Sequence, residues 1–149
     1  MLVQRVKNAQ VAVNGSIVAH IDRGLLLLTG IGRDDTIKDI EYLSKKIINL
    51  RIFEDEFGKM NLNIKQVNGQ ILSVSQFTLY ADMRKGNRPG FEFSAEPAKA
   101  KDYWNKFNAL LRENGITVKE GIFGAHMEIG LINDGPVTIY LDSKNKEVE

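Results

Sequence analysis

The chain has 149 residues, 43% apolar and 26% charged. These are the proportions of one ordinary globular domain able to bury a core, and they exclude disordered and collagen-like classes. There is no cysteine, which removes disulfides, thiolate nucleophiles and cysteine-ligated zinc together, and a formal net charge of +1 excludes a broadly basic nucleic-acid-coating protein.

In chain order, residues 2–21 read as a β-hairpin: Val11-Ala12-Val13 leads into Asn14-Gly15, the dipeptide suited to a type I′ turn, and Ile17-Val18-Ala19 leads away. Gly24 to Ile31 is an unbroken aliphatic run, as expected of a strand covered on both faces. Its Leu25–Leu28 core falls far short of the roughly 20 residues that cross a bilayer. The N-terminal MLVQRVKNAQ lacks the layout of a secretory signal, so a cytoplasmic, membrane-free protein is expected.

Asp34, Asp35 and Thr36 offer caps for a helix in which Ile37, Ile40, Leu43 and Ile47 recur at helical spacing. Arg51-Ile52-Phe53 reads as a short strand, and Glu54 to Asn63 as a polar loop or hairpin tip around Gly58. Asn68-Gly69 marks a turn, Gln70 to Tyr80 reads as one strand, and Met83 to Phe91 is a basic loop punctuated by Gly and Pro. The second helix begins near Pro97, carries Tyr103, Trp104, Phe107, Leu110 and Leu111 as its apolar stripe, and stops at Asn114-Gly115. Alternation at Ala125, Met127, Ile129 and Leu131 predicts a strand, with His126 as a strand residue whose ring is satisfied. A last strand runs from Val137 to Leu141, and the polar tail Ser143 to Glu149 reads as frayed.

Two helices cannot cover both faces of so many strands. The predicted fold is therefore α/β, a single domain over residues 1–149 built as a three-layer β-β-α sandwich with two main helices.

Two segments break the pattern around them. Ser75-Gln76-Phe77-Thr78-Leu79 sets polar residues among branched and aromatic ones. It reads either as a strand with one wet face, or as a strand end whose N–H groups and hydroxyls converge on a reacting carbonyl. Asn133-Asp134-Gly135-Pro136-Val137-Thr138 places a proline, which cannot donate to a ladder, between two apolar stretches. It reads either as an ordinary turn or as a rigid element aiming carbonyl oxygens at a ligand. The two histidines, His20 and His126, stand in no metal-binding frame.

SQFTL at 75–79 followed by NDGPVT at 133–138 resembles the paired signature of the D-aminoacyl-tRNA deacylases, formerly called D-tyrosyl-tRNA deacylases. QRV, GLLLLTGI, LRIFEDEFGKMN, KGNRPGF and FGAHM extend the resemblance over nearly the whole chain, leaving Lys144 to Glu149 as an addition. The resemblance implies a homodimeric hydrolase of D-aminoacyl-tRNA esters, active on glycyl-tRNA as well, with no cofactor and no metal. It places Ser75, Gln76, Phe77 and Thr78 in the pocket that receives the 3′-terminal adenosine, with N–H groups near Gln76 and Phe77 on the oxyanion. It makes Gly135 and Pro136 a Gly-cisPro motif inserted into the partner subunit's pocket to reject L-amino acids.

Thr78 is a covalent nucleophile in one reading; in the other, water attacks with help from the terminal 2′-hydroxyl, which the lack of a motif-associated base favours. Arg84, Lys85 and Arg88 are candidate contacts to acceptor-stem phosphates, and Met127 a candidate pocket-lining residue; Lys45, Lys46 and Arg51 read as an outer helix face. The alternative to the enzyme is a non-catalytic RNA-binding dimer.

Overall fold

A computed structural model describes residues 1–145. Its elements run β1 (Leu2–Val13), β2 (Ser16–Ile21), β3 (Gly24–Thr29), α1 (Ile37–Asn49), β4 (Phe53–Glu54), β5 (Met60–Leu62), β6 (Gln70–Ser75), α2 (Pro97–Glu113), β7 (Thr117–Glu120) and β8 (Glu128–Tyr140). Asn14 and Gly15 take φ of 52° and 79°, the two left-handed conformations that a type I′ turn requires, and so close β1 onto β2.

β1 is the strand on which the sheet is built. Its first half, Leu2–Val6, pairs antiparallel with β3, and its second half, from Ala9 to Val13, pairs with β2. Its other edge carries β8 along most of its length. β6 then adds parallel to β3, and β7 parallel to β6. The sheet is therefore continuous but changes partner midway along β1, which lets β2 fold back over β6 and β7. The β-β-α sandwich expected from the sequence is this folded sheet with the helices against one face.

The strand period sorts side chains between two cores. Leu25, Leu27 and Ile71 face the helices, where they meet Ile40, Ile47, Phe107 and Leu111. Leu26, Leu72 and Val74 face the other way, against Val6, Val11, Ala19 and Ile21. Thr36 caps α1: its N–H donates to the Asp39 carboxylate at 2.8 Å, and the Asp39 N–H donates to its carbonyl at 3.0 Å. Pro97 opens α2, where its missing N–H costs nothing, and Gly115 ends it at φ 82°.

Several boundaries differ from those the sequence predicts. Arg51 and Ile52 precede β4 rather than join it, and β4 pairs with β5 as a hairpin around Gly58. Tyr103 is only half-buried, its ring covered by Lys99 and Lys106. The run Gln70 to Tyr80 is not one strand. β6 stops at Ser75, and Phe77–Tyr80 form a 3-10 turn. Glycines make room for that turn: a Cβ at Gly30 would lie 3.1 Å from the Gln76 carbonyl oxygen, and one at Gly32 would lie 2.6 Å from Tyr80 Oη. Asp134-Gly135-Pro136 is not a turn between strands either. It lies within β8, where the pairing with β1 shifts register around Val6, a bulge that accommodates a residue with no N–H. The tail is anchored rather than frayed at its start: Ser143 is buried, and Lys144 Nζ donates to both oxygens of Asp39 at 3.0 Å. The rest of that predicted tail, 146–149, lies outside the described residues.

Candidate active site

Where β6 ends, the chain opens a pocket of about 530 Å³. Ile31, Val74 and Ser75 supply its base, and the 3-10 turn contributes Phe77 to one wall. Ser94 and Ala95 lead from that wall into α2, which adds Pro97 and Ala100. The segment Phe123–Met127 together with Ile129 of β8 forms another wall. The lining is mostly apolar, with a few hydrogen-bonding groups at one end, the usual character of a small-molecule site.

The polar end is built by the change from strand to turn. The Gln76 N–H donates to the Thr29 carbonyl at 2.8 Å, continuing the β3–β6 ladder by one bond. The N–H groups of Phe77 and Thr78 then open the 3-10 turn and find no acceptor among the described residues. The Gln76 amide also donates to Thr78 Oγ1. Phe77 is 54% exposed and meets Phe91 edge-to-face, ring centroids 4.9 Å apart.

A buried polar network braces this end from behind. Trp104 Nε1 donates to Ser73 Oγ at 2.9 Å, and Ser73 Oγ donates to Asn108 Oδ1 at 2.6 Å. Asn108 Nδ2 donates to Glu120 at 2.9 Å, and Glu120 also pairs with Arg112 at 3.0 Å. The Ser73 carbonyl accepts the Gly121 N–H at 3.0 Å, so the network fixes the start of the segment that forms the far wall.

Ser75, Gln76, Phe77 and Met127 line one pocket. Thr78 stands next to it on the turn, exposed, its hydroxyl engaged by Gln76. Gly135 and Pro136 are not in this pocket. They are exposed on β8, joined by a cis peptide bond, roughly 20 Å along the strand from Ile129. Arg5 supports them: its Nε donates to the Asp134 carbonyl at 2.8 Å. Arg84, Lys85 and Arg88 are exposed on the loop between Asp82 and Gly90, whose backbones pair at 2.8 and 2.9 Å. Arg84 is bound by Asp82 at 2.8 Å and shares the Phe93 ring with Arg33.

The sequence reading missed Phe91, Ser94, Phe123 and His126 as lining residues. His126 is neither in a strand nor satisfied: it lies in the irregular stretch before β8, exposed, with no hydrogen-bond partner among the described residues. Its place beside Met127 in FGAHM was the available signal. Lys45 and Lys46 are exposed on α1 as expected, and Arg51 is held by Asn61. Among the described residues no cluster of His, Asp and Glu is arranged to hold a metal, and no helix is long and apolar enough to cross a membrane.

The family model described as D-Tyr-tRNA(Tyr) deacylase matches residues 2–142. The chain belongs to this deacylase family. A D-aminoacyl-tRNA deacylase of Staphylococcus haemolyticus (strain JCSC1435) is 57% identical over 148 residues, covering 99% of this chain and 98% of that protein. One from Thermosipho africanus (strain TCF52B) is 54% identical over 143 residues, covering 96% of each. Among solved structures, the c-Myc DNA Unwinding Element Binding Protein superposes with a TM-score of 0.89 at 42% identity, over 95% of this chain and 96% of that one. A probable eukaryotic D-amino acid tRNA deacylase superposes with a TM-score of 0.79 at 17% identity, over 93% and 95%, a likeness of fold alone. The deacylase match takes in both SQFTL and NDGPVT; Lys144 lies beyond it.

Proposed function

We propose that this chain hydrolyses the ester joining a D-amino acid to the 3′-terminal adenosine of tRNA, as a homodimer in which each subunit completes the other's pocket. The observation that carries the reading is the separation of the two motifs within one chain. The pocket holds Ser75, Gln76 and Phe77, while Gly135 and Pro136 stand exposed about 20 Å away on a strand that also reaches the pocket wall. β8 pairs with β1 alone among the described residues, and along its 13 residues it exposes Ile132 and Tyr140. An open, partly apolar edge of that length invites a second copy. A two-fold contact through β8 reverses strand direction, so the dipeptide end of one copy lies toward the pocket end of the other.

In this reading Phe77 and Phe91 flank the terminal adenine. Water attacks the ester carbonyl with help from the neighbouring ribose hydroxyl, the bond from the carbonyl carbon to the ester ribose oxygen breaks, and a proton of water passes to that departing oxygen, leaving a free ribose hydroxyl. The free N–H groups of Phe77 and Thr78 hold the tetrahedral oxyanion. The Gln76 N–H is committed to Thr29, which moves the oxyanion site one residue along from the sequence expectation. Water rather than Thr78 is the nucleophile in this reading, supported by a Thr78 hydroxyl that accepts from Gln76 and has no base hydrogen-bonded to it. The partner's Gly135 and Pro136 carbonyls take the substrate ammonium and occupy the space an L side chain would need. A D side chain points outward, and glycine, with no Cβ, is accepted. Arg84, Lys85 and Arg88 meet backbone phosphates. The setting is translation quality control in the cytoplasm.

The test is incubation with D-Tyr-tRNA, L-Tyr-tRNA and Gly-tRNA. The D-ester and the glycyl ester should be lost and the L-ester retained. Equal loss of both enantiomers overturns the chiral reading, and binding without cleavage favours the non-catalytic RNA-binding dimer.

A further inference from the structure

His126 carries the one ionisable side chain in the pocket lining among the described residues. Elsewhere the lining is aromatic, aliphatic or neutral: Ser75, Gln76 and Ser94 offer hydrogen-bonding groups and no charge. The imidazole is exposed, whereas Ala125 and Met127 on either side of it are half-buried. The half-buried neighbours build the wall, and the exposed ring stands at the mouth. No group among the described residues holds it there.

β6, the 3-10 turn, residues 91–95 and the first turns of α2 contribute no carboxylate or ammonium to the lining. Glu128, two residues on and also exposed, is the nearest charged residue along the chain. Phe91, across the pocket, ends the loop that bears Lys85 and Arg88.

We infer that His126 is a binding residue for the phosphodiester preceding the terminal nucleoside of the substrate, and that it engages this group in its protonated form. The inference rests on the pocket being the 3′-end site proposed above. A nucleoside seated among Phe77 and Phe91 leaves its 5′ phosphate at the mouth, and a phosphodiester is a fixed monoanion. An imidazolium offers two N–H donors to it, and such contacts position a strand without reading its sequence. Histidine changes charge between about pH 5 and 8. A phosphodiester attracts the charged ring and not the neutral one, so the added affinity is greatest at low pH and is lost as pH rises. This residue would make 3′-end affinity pH-dependent at a site whose chemistry uses no side-chain base.

The experiment measures dissociation constants by calorimetry at pH 5.5 and 8.0. The ligands are adenosine and the methyl phosphodiester of adenosine 5′-monophosphate, whose phosphate stays singly charged at both values. Wild-type protein should bind the diester roughly fivefold tighter at pH 5.5, the scale of one partly exposed charge-assisted contact, and adenosine equally at both. In His126→Asn the pH dependence for the diester should disappear while thermal unfolding matches the wild type. If the variant keeps the wild-type ratio, or if adenosine shows the same dependence, the role assigned to His126 is wrong and the pocket reading stands. If wild type binds neither ligand at either pH, the pocket reading falls and this inference with it.

Discussion

Arg5 Nε donates to the carbonyl oxygen of Asp134 at 2.8 Å, a bond between residues 129 apart in sequence. The same guanidinium gives Nη1 to the Ile52 carbonyl at 2.7 Å and stands 3.8 Å from Glu54, and the residue is 5% exposed. One arginine on β1 thus fixes the residue that precedes Gly135 and ties the β4 end of the hairpin to the same point. Arg5→Met should leave one buried and one partly buried carbonyl unpaired at a cost of about 2–4 kcal/mol, read from urea unfolding. Arg5→Lys, which keeps the charge but not the fork, should fold and show a lower ratio of D-Tyr-tRNA to L-Tyr-tRNA cleavage than the wild type. An unchanged ratio in Arg5→Lys would show that the support is structural only.

Gly135 has φ of 146°, and a Cβ there would lie 2.7 Å from Val137 Cγ2 and 2.9 Å from the Val137 nitrogen. The second neighbour is backbone and cannot swing away. Gly135→Ala should lose roughly 1–3 kcal/mol of stability and, by shifting the exposed dipeptide, most of its deacylase activity. The check pairs a melting curve with initial rates on D-Tyr-tRNA; full activity in a folded variant would remove Gly135 from the site.

Phe77 separates binding from stability. It is more than half exposed, so Phe77→Ala should change unfolding free energy by less than about 1 kcal/mol while removing one of the two rings proposed to flank the adenine. KM for D-aminoacyl-tRNA should rise about tenfold, the scale of losing one base-stacking platform. A wild-type KM would place the adenine elsewhere.

Acid should loosen the start of α1. Burial works against ionisation of Asp39, yet the Thr36 N–H, Ser143 and Lys144 outweigh it and bring its pKa down to about 2. A carboxylate whose folded value lies below its unfolded value stabilises the protein above about pH 4, and the contribution is lost as pH falls toward 2. The shift corresponds to about 2 kcal/mol between those limits. Urea titrations at pH 5 and pH 2 should show that loss, and Lys144→Met should shrink the difference.

The turns and helices were readable because their signals are local. Asn14-Gly15 and Asn68-Gly69 adopt the conformations their residues favour, and Pro97 opens α2 where expected. The turn that follows β6 was not readable that way. Phe77, Thr78, Leu79 and Tyr80 have the branched and aromatic character of a strand, and only packing against Gly30 and Gly32 bends them into a 3-10 turn. Those two glycines were in view, but their partner lay some 50 residues on. The Asp134-Gly135-Pro136 signal was equally ambiguous, since proline in a turn and proline in a bulge look alike until β1 supplies the shifted register. SQFTL and NDGPVT were legible as motifs. The residues that enclose the pocket from other segments, Phe91, Phe123 and His126, carry no pattern of their own and become visible only when α2 and the stretch before β8 come together.

β8 works as a ruler. Ile129 belongs to the pocket wall and Gly135 to the exposed dipeptide, and one strand, bulged only at its dipeptide end, sets the interval between them. Inserting or deleting one residue in that interval would turn every later side chain to the opposite face and misplace the dipeptide by a strand step. Relatives that drift in length should therefore do so in the β4–β5 hairpin or the 83–90 loop, and altered substrate preference should arise by exchanging side chains at a constant strand count.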